Sequence, residues 1–142
     1  MLNLLVLSHF AFCLIMCGLI WVIQVLHYPT FKFIKEDTFK RFESFHVKRI
    51  SFIVIPIMVL ELLTSILLFL YFPNTIVQIN VLLLILTWLS TFIFSMPIHN
   101  QLLKEYNINF INKLILTNWP RTALWSIRAI LIFQLIYTHL RF

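Results

Sequence analysis

Four long apolar stretches constrain this chain more than any other feature. They cover about residues 2–26, 50–72, 76–98 and 119–140 of a 142-residue chain. A helix needs about 20 apolar residues to cross the hydrocarbon core of a bilayer, and each stretch is long enough. Only 11% of the residues are charged, whereas soluble domains carry about 25%. We therefore expect an all-α integral membrane protein with a single domain over residues 1–142.

The basic residues predict how these helices are oriented. They concentrate in the connections between the first and second stretches and between the third and fourth, whereas the link FPNT has none. Basic connections stay in the cytoplasm. The pattern predicts an up-and-down four-helix bundle in a bacterial inner membrane, with both termini outward and two long cytoplasmic connections. The net charge of +6 then reflects this topology and attraction to anionic lipid headgroups, and no nucleic-acid-binding motif accompanies it.

Both long connections have a helical periodicity of their own. Apolar residues recur at near-helical spacing among charged and polar ones, which is typical of amphipathic helices that lie in the headgroup region. We therefore predict an amphipathic interfacial segment in each cytoplasmic connection. The apolar positions are Phe31, Ile34, Phe42 and Phe45 in the first, and Leu103, Tyr106, Phe110 and Leu114 in the second.

Three histidines are expected to meet at the cytoplasmic face. In an up-and-down bundle, four helix ends converge there, and His27, His46, His99 and Arg121 each fall at one of them. Four-helix bundles commonly build metal sites from facing helices, and neutral imidazoles suit iron, copper or zinc. We predict that His27, His46 and His99 bind such a metal ion or a haem. The alternative for each is an interfacial side chain that favours headgroup depth.

Two ionisable residues fall well inside the apolar stretches. Glu61 lies roughly 16 Å from the start of its stretch at 1.5 Å per residue, and Arg128 lies one to two turns inside the fourth. Charged residues at such depth are costly and indicate function. We predict catalytic roles for Glu61, Arg128 and Tyr28. The alternative for Glu61 and Arg128 is a structural ion pair.

Three further residues are predicted to contact a cofactor or substrate. Arg121 and Trp125 are four residues apart and share a helix face, where the arginine would hold an anionic group. Gln24 lies one turn before His27. Cys13 and Cys17 lie one turn apart in the first stretch, are poorly placed for a disulfide, and are expected to be small apolar fillers.

Several motifs resemble those of known proteins. The segments GLIWVIQVLHYPTF, FESFHVKRIS, PIMVLEL, PIHNQLL and NWPRTALWSIR resemble a family of small uncharacterised bacterial four-helix membrane proteins. The resemblance covers nearly the whole chain and implies the fold but no activity. The positions that it marks are Trp21, Gln24, His27, Tyr28, Pro29, His46, Pro56, Glu61, His99, Asn100, Asn118, Trp119, Arg121, Trp125 and Arg128.

Two more distant likenesses suggest redox chemistry. The half that contains PIHNQLL and NWPRT resembles the anthrone oxygenase-like family, which implies an oxidative reaction on an aromatic or polyketide-like substrate. That family often has PIN where this chain has His99. His9 and the stretch PIM resemble HemJ-type protoporphyrinogen oxidases, which are also small four-helix membrane proteins. The lysine that those enzymes use in helix three has no counterpart in residues 76–98.

Together these features predict a membrane-embedded oxidoreductase or oxygenase-like enzyme. Its substrate would be an apolar or amphipathic small molecule that enters from the bilayer. The alternatives are a non-enzymatic transporter, proton pathway or accessory subunit, and a HemJ-like porphyrinogen oxidase. A homo-oligomer is left open. No GxxxG association motif supports it, since the chain has a single glycine, Gly18.

Overall fold

The computed structural model describes residues 2–139, and residues 1 and 140–142 lie outside the described part. The predicted end of the fourth helix at residue 140 therefore falls beyond it. The described residues form helices and no strand, as predicted. We label the four long helices α1 (Leu2–Phe33), α2 (Glu36–Tyr71), α3 (Thr75–Leu102) and α4 (Ile108–His139).

Local sequence explains where α2 ends and α3 begins. The chain leaves α2 at Tyr71, two residues before Pro73, which lacks the backbone N–H that a continuing helix needs. Asn74 then caps α3, because its side-chain oxygen accepts a hydrogen bond from the Val77 N–H at 2.9 Å. An asparagine in this position satisfies one of the free N–H groups of the first turn.

The helices are longer than the apolar stretches that predicted them. α2 begins at Glu36, so most of the predicted amphipathic segment continues directly into the second apolar stretch and is not a separate helix. The reason is that its inward-facing residues extend the interior of the bundle: Phe39 is fully buried and its ring lies 6.0 Å from that of Phe31. The second predicted segment likewise belongs mostly to α4, which begins at Ile108.

The four helices pack in a ring. α1 packs against α2 and α4, and α3 packs against the same two helices. Two apolar clusters fill opposite ends of the interior. One contains Phe31, Phe39, Leu102, Ile111 and Leu114, and the other contains Val6, Cys13, Leu68, Val77, Ile132 and Leu135.

Three of the helices could cross a membrane by length and composition, namely α1, α2 and α3. Within residues 2–139, α4 is not one of the three, although it has 32 residues. Its polar residues Asn118, Arg121, Thr122 and Arg128 are all buried, so they face the bundle and leave Ile130 and Phe133 outside. Large apolar side chains are exposed on all four helices.

Candidate functional site

Two widened helical turns lie at the same end of the bundle. They are the π-helical turns Ile23–His27 in α1 and Thr91–Ser95 in α3. Each ends two residues before a proline, Pro29 or Pro97. The proline ring would clash with the carbonyl four residues earlier, and a wider turn relieves that clash. Such turns are frequent at functional sites, and these two carry Tyr28 and His99 into the bundle.

The three predicted histidines lie close together at this end of the bundle. His27 Nε2 and His46 Nδ1 are 2.6 Å apart. His99 Nε2 lies 3.1 Å from the Tyr28 hydroxyl, and His99 Nδ1 hydrogen-bonds to Glu43. The rings of His46 and His99 are 5.4 Å apart. We call these five residues, from α1, α2 and α3, the histidine cluster.

Glu43 fixes the direction of the hydrogen bonds around His99. The carboxylate is fully buried, and an ionised carboxylate only accepts hydrogen bonds. His99 therefore donates its Nδ1–H to Glu43, which leaves Nε2 to accept the hydrogen bond that the Tyr28 hydroxyl donates. A carboxylate, an imidazole and a hydroxyl in this order form the arrangement that activates hydroxyl groups for proton transfer.

A cavity of about 400 Å³ adjoins Tyr28 and His99. This volume falls within the range of about 300–1,000 Å³ that is typical of small-molecule sites. Most of its walls are apolar side chains of α2 and α3, and some of them, including Ile55, Phe92 and Met96, are about half exposed at the outer surface. The cavity therefore opens sideways between α2 and α3. Its polar lining is formed by Tyr28, Ser51, Trp88, Thr91, Ser95, His99, Asn100 and Arg121.

Arg121 lies at the inner wall of this cavity. Its Nη1 donates a hydrogen bond to Ser95 Oγ at 2.6 Å, and its guanidinium carbon lies 5.5 Å from the Trp125 ring centre. It also lies close to the Tyr28 hydroxyl. Of the residues predicted to contact a cofactor or substrate, Arg121 is the one that lines the cavity.

A second polar cluster lies deeper in the bundle. Arg128 Nη1 is 2.7 Å from Glu61 Oε1, and both side chains are completely buried. Trp125 Nε1 and Cys13 Sγ each donate to Glu61 at 3.3 Å. Asn80 accepts a hydrogen bond from Arg128 at 3.3 Å. This cluster, which we call the Glu61–Arg128 network, joins all four helices.

The network continues toward the other end of the bundle. His9 Nε2 lies 3.2 Å from Asn80 Oδ1, and His9 Nδ1 lies 2.9 Å from the Thr64 hydroxyl. Asn80 also donates to the backbone carbonyl of Arg128 at 3.2 Å. These contacts satisfy buried polar groups, which would otherwise cost stability in an apolar interior.

The three predicted metal-binding histidines are neighbours but do not converge on one point. Both ring nitrogens of His99 are engaged, one by Glu43 and one by Tyr28, while His27 and His46 face each other. Among residues 2–139, no group of three or more His, Cys, Asp or Glu side chains is arranged to hold a metal ion. In this arrangement the donors do not fit a three-histidine site, and metal or haem binding stays a prediction.

The other predicted site residues are distributed as follows. Tyr28 belongs to the histidine cluster, whereas Glu61, Arg128 and Trp125 belong to the deeper network. Gln24 is buried between α1 and α4, where it accepts a hydrogen bond from Asn118 at 2.8 Å and donates to the Ile115 carbonyl. Gln24 and Trp125 are not part of the cavity lining.

Two functional candidates were not found from the sequence. Glu43 lies among charged residues in a segment that was predicted to lie in the headgroup region, so the sequence did not indicate that Glu43 is buried. Asn80 is one of two amides, with Gln78, inside the third apolar stretch, and it is the deeper of the two, which could have marked it. Cys13, expected to be an apolar filler, instead donates to Glu61.

Comparison with protein-family models, curated proteins and solved structures found no significant match to this chain.

Proposed function

We propose that this protein is an integral membrane enzyme that acts on an apolar or amphipathic substrate taken directly from the bilayer. The four helices would cross a bacterial inner membrane up and down, with both termini outward. The apolar outer surface supports insertion, because a soluble protein rarely exposes large contiguous apolar patches. Residues such as Leu4, Phe52, Leu70 and Ile130 are each at least 65% exposed.

The cavity supports this proposal most directly. It opens between α2 and α3 at a level where the surrounding surface is apolar, so a lipid-like molecule would enter without crossing water. Its walls would hold the apolar part of the substrate. Its polar inner end, formed by Tyr28, His99 and Arg121, would hold the polar group.

The chemistry follows from the Tyr28–His99–Glu43 arrangement. Tyr28 and His99 line the cavity, and they can give a proton to the substrate or take one from it. Glu43 does not line the cavity; it is a positioning residue that orients His99 and stabilises its protonated form. Proton transfer accompanies the oxidation or reduction of carbonyl and hydroxyl groups, which suits the predicted redox activity. The electrons of such a reaction would pass to or from a separate electron carrier, because the donors of the histidine cluster do not fit a three-histidine metal site.

The test is to identify the molecule that the protein carries, in the wild type and in Glu43→Gln. Both proteins would be purified in mild detergent. The bound amphiphile would then be extracted, and its molecular mass would be measured by mass spectrometry. We expect about one bound molecule per chain. Because Glu43→Gln removes the charge that orients His99, this variant should retain unconverted substrate, which differs from product by two hydrogens for a dehydrogenation or by an oxygen for an oxygenation.

The matched control is Glu36→Gln, which removes an exposed carboxylate from the start of the same helix. It should carry the same molecules as the wild type. An identical occupant in the wild type and in Glu43→Gln would overturn conversion of the substrate. A protein without any bound amphiphile would overturn the cavity as the substrate site.

A second candidate function is a proton pathway. It is favoured by a series of buried polar groups that runs from His9 through Asn80 and Arg128 to Glu61. This series and the histidine cluster lie on opposite sides of Glu61. Reconstituted into vesicles with an internal pH dye, a proton pathway would dissipate a pH gradient. Asn80→Leu would slow that dissipation, whereas Glu36→Gln would not.

A further inference from the structure

Arg121 is a buried cation without a buried counter-charge. Its side chain is 6% exposed, and its Nε has no hydrogen-bond partner among residues 2–139. The two buried carboxylates in that part of the chain, Glu43 and Glu61, are engaged elsewhere, by His99 and Arg128. An unpaired buried charge is expensive, so its presence beside a cavity points to a ligand that supplies the missing charge.

Arg128 provides an internal comparison. It lies two turns further along α4, is completely buried, and is paired with Glu61 at 2.7 Å. This chain therefore neutralises a buried arginine where the arginine has a structural role. Within the part of the chain that the structure describes, Arg121 instead contacts the neutral groups of Ser95, Tyr28 and the Trp125 ring.

We propose that the cavity binds an amphiphile with a single carboxylate head and an apolar tail, and that Arg121 pairs with that carboxylate. This inference rests on the proposed substrate site and specifies its ligand. The planar guanidinium matches the two oxygens of a carboxylate, and the Ser95 hydroxyl, whose oxygen accepts from Arg121, can donate a further hydrogen bond. The tail lies along the apolar walls toward the opening between α2 and α3.

The charge balance of the cavity favours one negative charge over two. Arg121 contributes one positive charge. Glu43, which is hydrogen-bonded to His99, does not line the cavity, and the lining contains no lysine and no second arginine. A phosphate monoester, which carries up to two charges, would leave part of its charge unpaired in an apolar site.

The experiment uses quenching of tryptophan fluorescence by brominated probes in phosphatidylcholine nanodiscs. Trp88 lines the cavity, so the cavity signal is the part of the quenching that Trp88→Phe removes. The probes are dibrominated stearic acid, the matching alcohol and the matching phosphate monoester. They are compared at a pH at which the acid is ionised. We expect the acid to reach half-saturation at a probe concentration at least about tenfold lower than the alcohol does, which is the factor expected for a hydrogen bond to a charged group. The acid should also reach half-saturation at a lower concentration than the phosphate.

Three variants assign this preference. Arg121→Gln should abolish the difference between acid and alcohol, and Arg121→Lys, which keeps the charge, should retain part of it. Arg49→Gln removes an exposed charge from the same end of the bundle and should leave the preference unchanged. A preference that survives in Arg121→Gln, or is lost in Arg49→Gln, would overturn the assignment to Arg121. Tighter binding of the phosphate would overturn the single-charge head.

A pair of cavity variants separates failure of this inference from failure of the proposed function. Val54 lines the cavity, whereas its neighbour Ile53 is exposed and does not. One outcome is that acid and alcohol quench Trp88 equally, that Val54→Phe blocks both probes and that Ile53→Phe blocks neither. In that case the cavity is still the substrate site, and the preference for a carboxylate is wrong. If no probe quenches Trp88, both proposals fall.

Discussion

Two arginines on one helix illustrate how context assigns a role to a residue. Arg121 and Arg128 are both buried in α4, where an arginine in contact with lipid would be costly. Arg128 is paired and hydrogen-bonded within the protein, and it ties α4 to the other helices through Glu61 and Asn80. Arg121 keeps part of its guanidinium free at a cavity. The first arrangement serves the fold, and the second favours ligand binding.

This difference predicts losses of different size when the stability of variants is measured. Glu61→Gln or Arg128→Gln alone should lower the free energy of unfolding by about 3–5 kcal/mol, because each leaves one uncompensated charge in the interior. The double variant should recover much of that loss, since neither charge remains. Arg121→Gln should cost clearly less than either single variant, because it leaves no charge unpaired.

Unfolding by SDS in mixed micelles, followed by circular dichroism, measures these differences. Additive losses in the double variant would contradict coupling between Glu61 and Arg128. An Arg121→Gln variant as unstable as Arg128→Gln would contradict the contrast between the two arginines.

At the scale of the helix, the combination of a π-helical turn and a following proline occurs twice. In α1 and α3, a π-helical turn accommodates a proline, and the side chains that follow reach the cavity. A π-helical turn holds one residue more than the α-helical turn that it replaces. The flanking segments therefore keep their faces toward the bundle, while the widened turn alters the local position of residues such as Thr91 and Ser95.

This geometry predicts which deletion α3 tolerates. Ile93 lies within the π-helical turn and Leu82 in the regular helix, and the two are similarly exposed, at 59% and 56%. Deletion of Ile93 should convert the turn to α-helix and leave both flanks in register, with a reshaped cavity and weakened ligand binding. Deletion of Leu82 should rotate one flank by about 100° and turn buried Asn80 or Leu84 outward.

Thermal unfolding and size-exclusion chromatography of the two deletions test this expectation. The variant without Ile93 should remain monodisperse and helical, whereas the variant without Leu82 should aggregate. Equal loss of both proteins would contradict the idea that the π-helical turn holds a removable residue.

At the scale of the whole molecule, the outer surface is more apolar and the interior more polar than in a typical soluble protein. The outer surface carries many large apolar side chains, whereas the interior combines two apolar clusters with buried ion pairs, amides and histidines. In a bilayer this arrangement is favourable, because polar groups find partners in the bundle and apolar side chains contact lipid.

The proposed orientation can be checked by thiol labelling in intact cells. Asn3→Cys places an exposed thiol near the amino terminus, and Glu105→Cys places one in the exposed link between α3 and α4. A membrane-impermeant maleimide should label the first in intact cells and the second only after permeabilisation. The wild type, with Cys13 buried and Cys17 partly buried, is the control. The reverse pattern would contradict the outward termini.

The sequence by itself determined the helical class and the number of long helices, because apolar composition and stretch length act locally. The end of α2 and the start of α3 have a local cause as well, in Pro73 and in the Asn74 cap. The sequence also placed His27, His46 and His99 at helix ends that would meet, and the structure brings all three together. Burial of Arg128 followed from the cost of placing a charge in lipid.

Only the tertiary structure decided which polar groups pair with which. Glu43 pairs with His99 across 56 residues, and Arg128 with Glu61 across a different pair of helices. Hydrogen-bond partners depend on helix rotation and depth to within about an ångström, and the two π-helical turns alter both in ways that apolar periodicity does not report. The cavity between α2 and α3 likewise exists only where two helices meet, so no single stretch of sequence could indicate it.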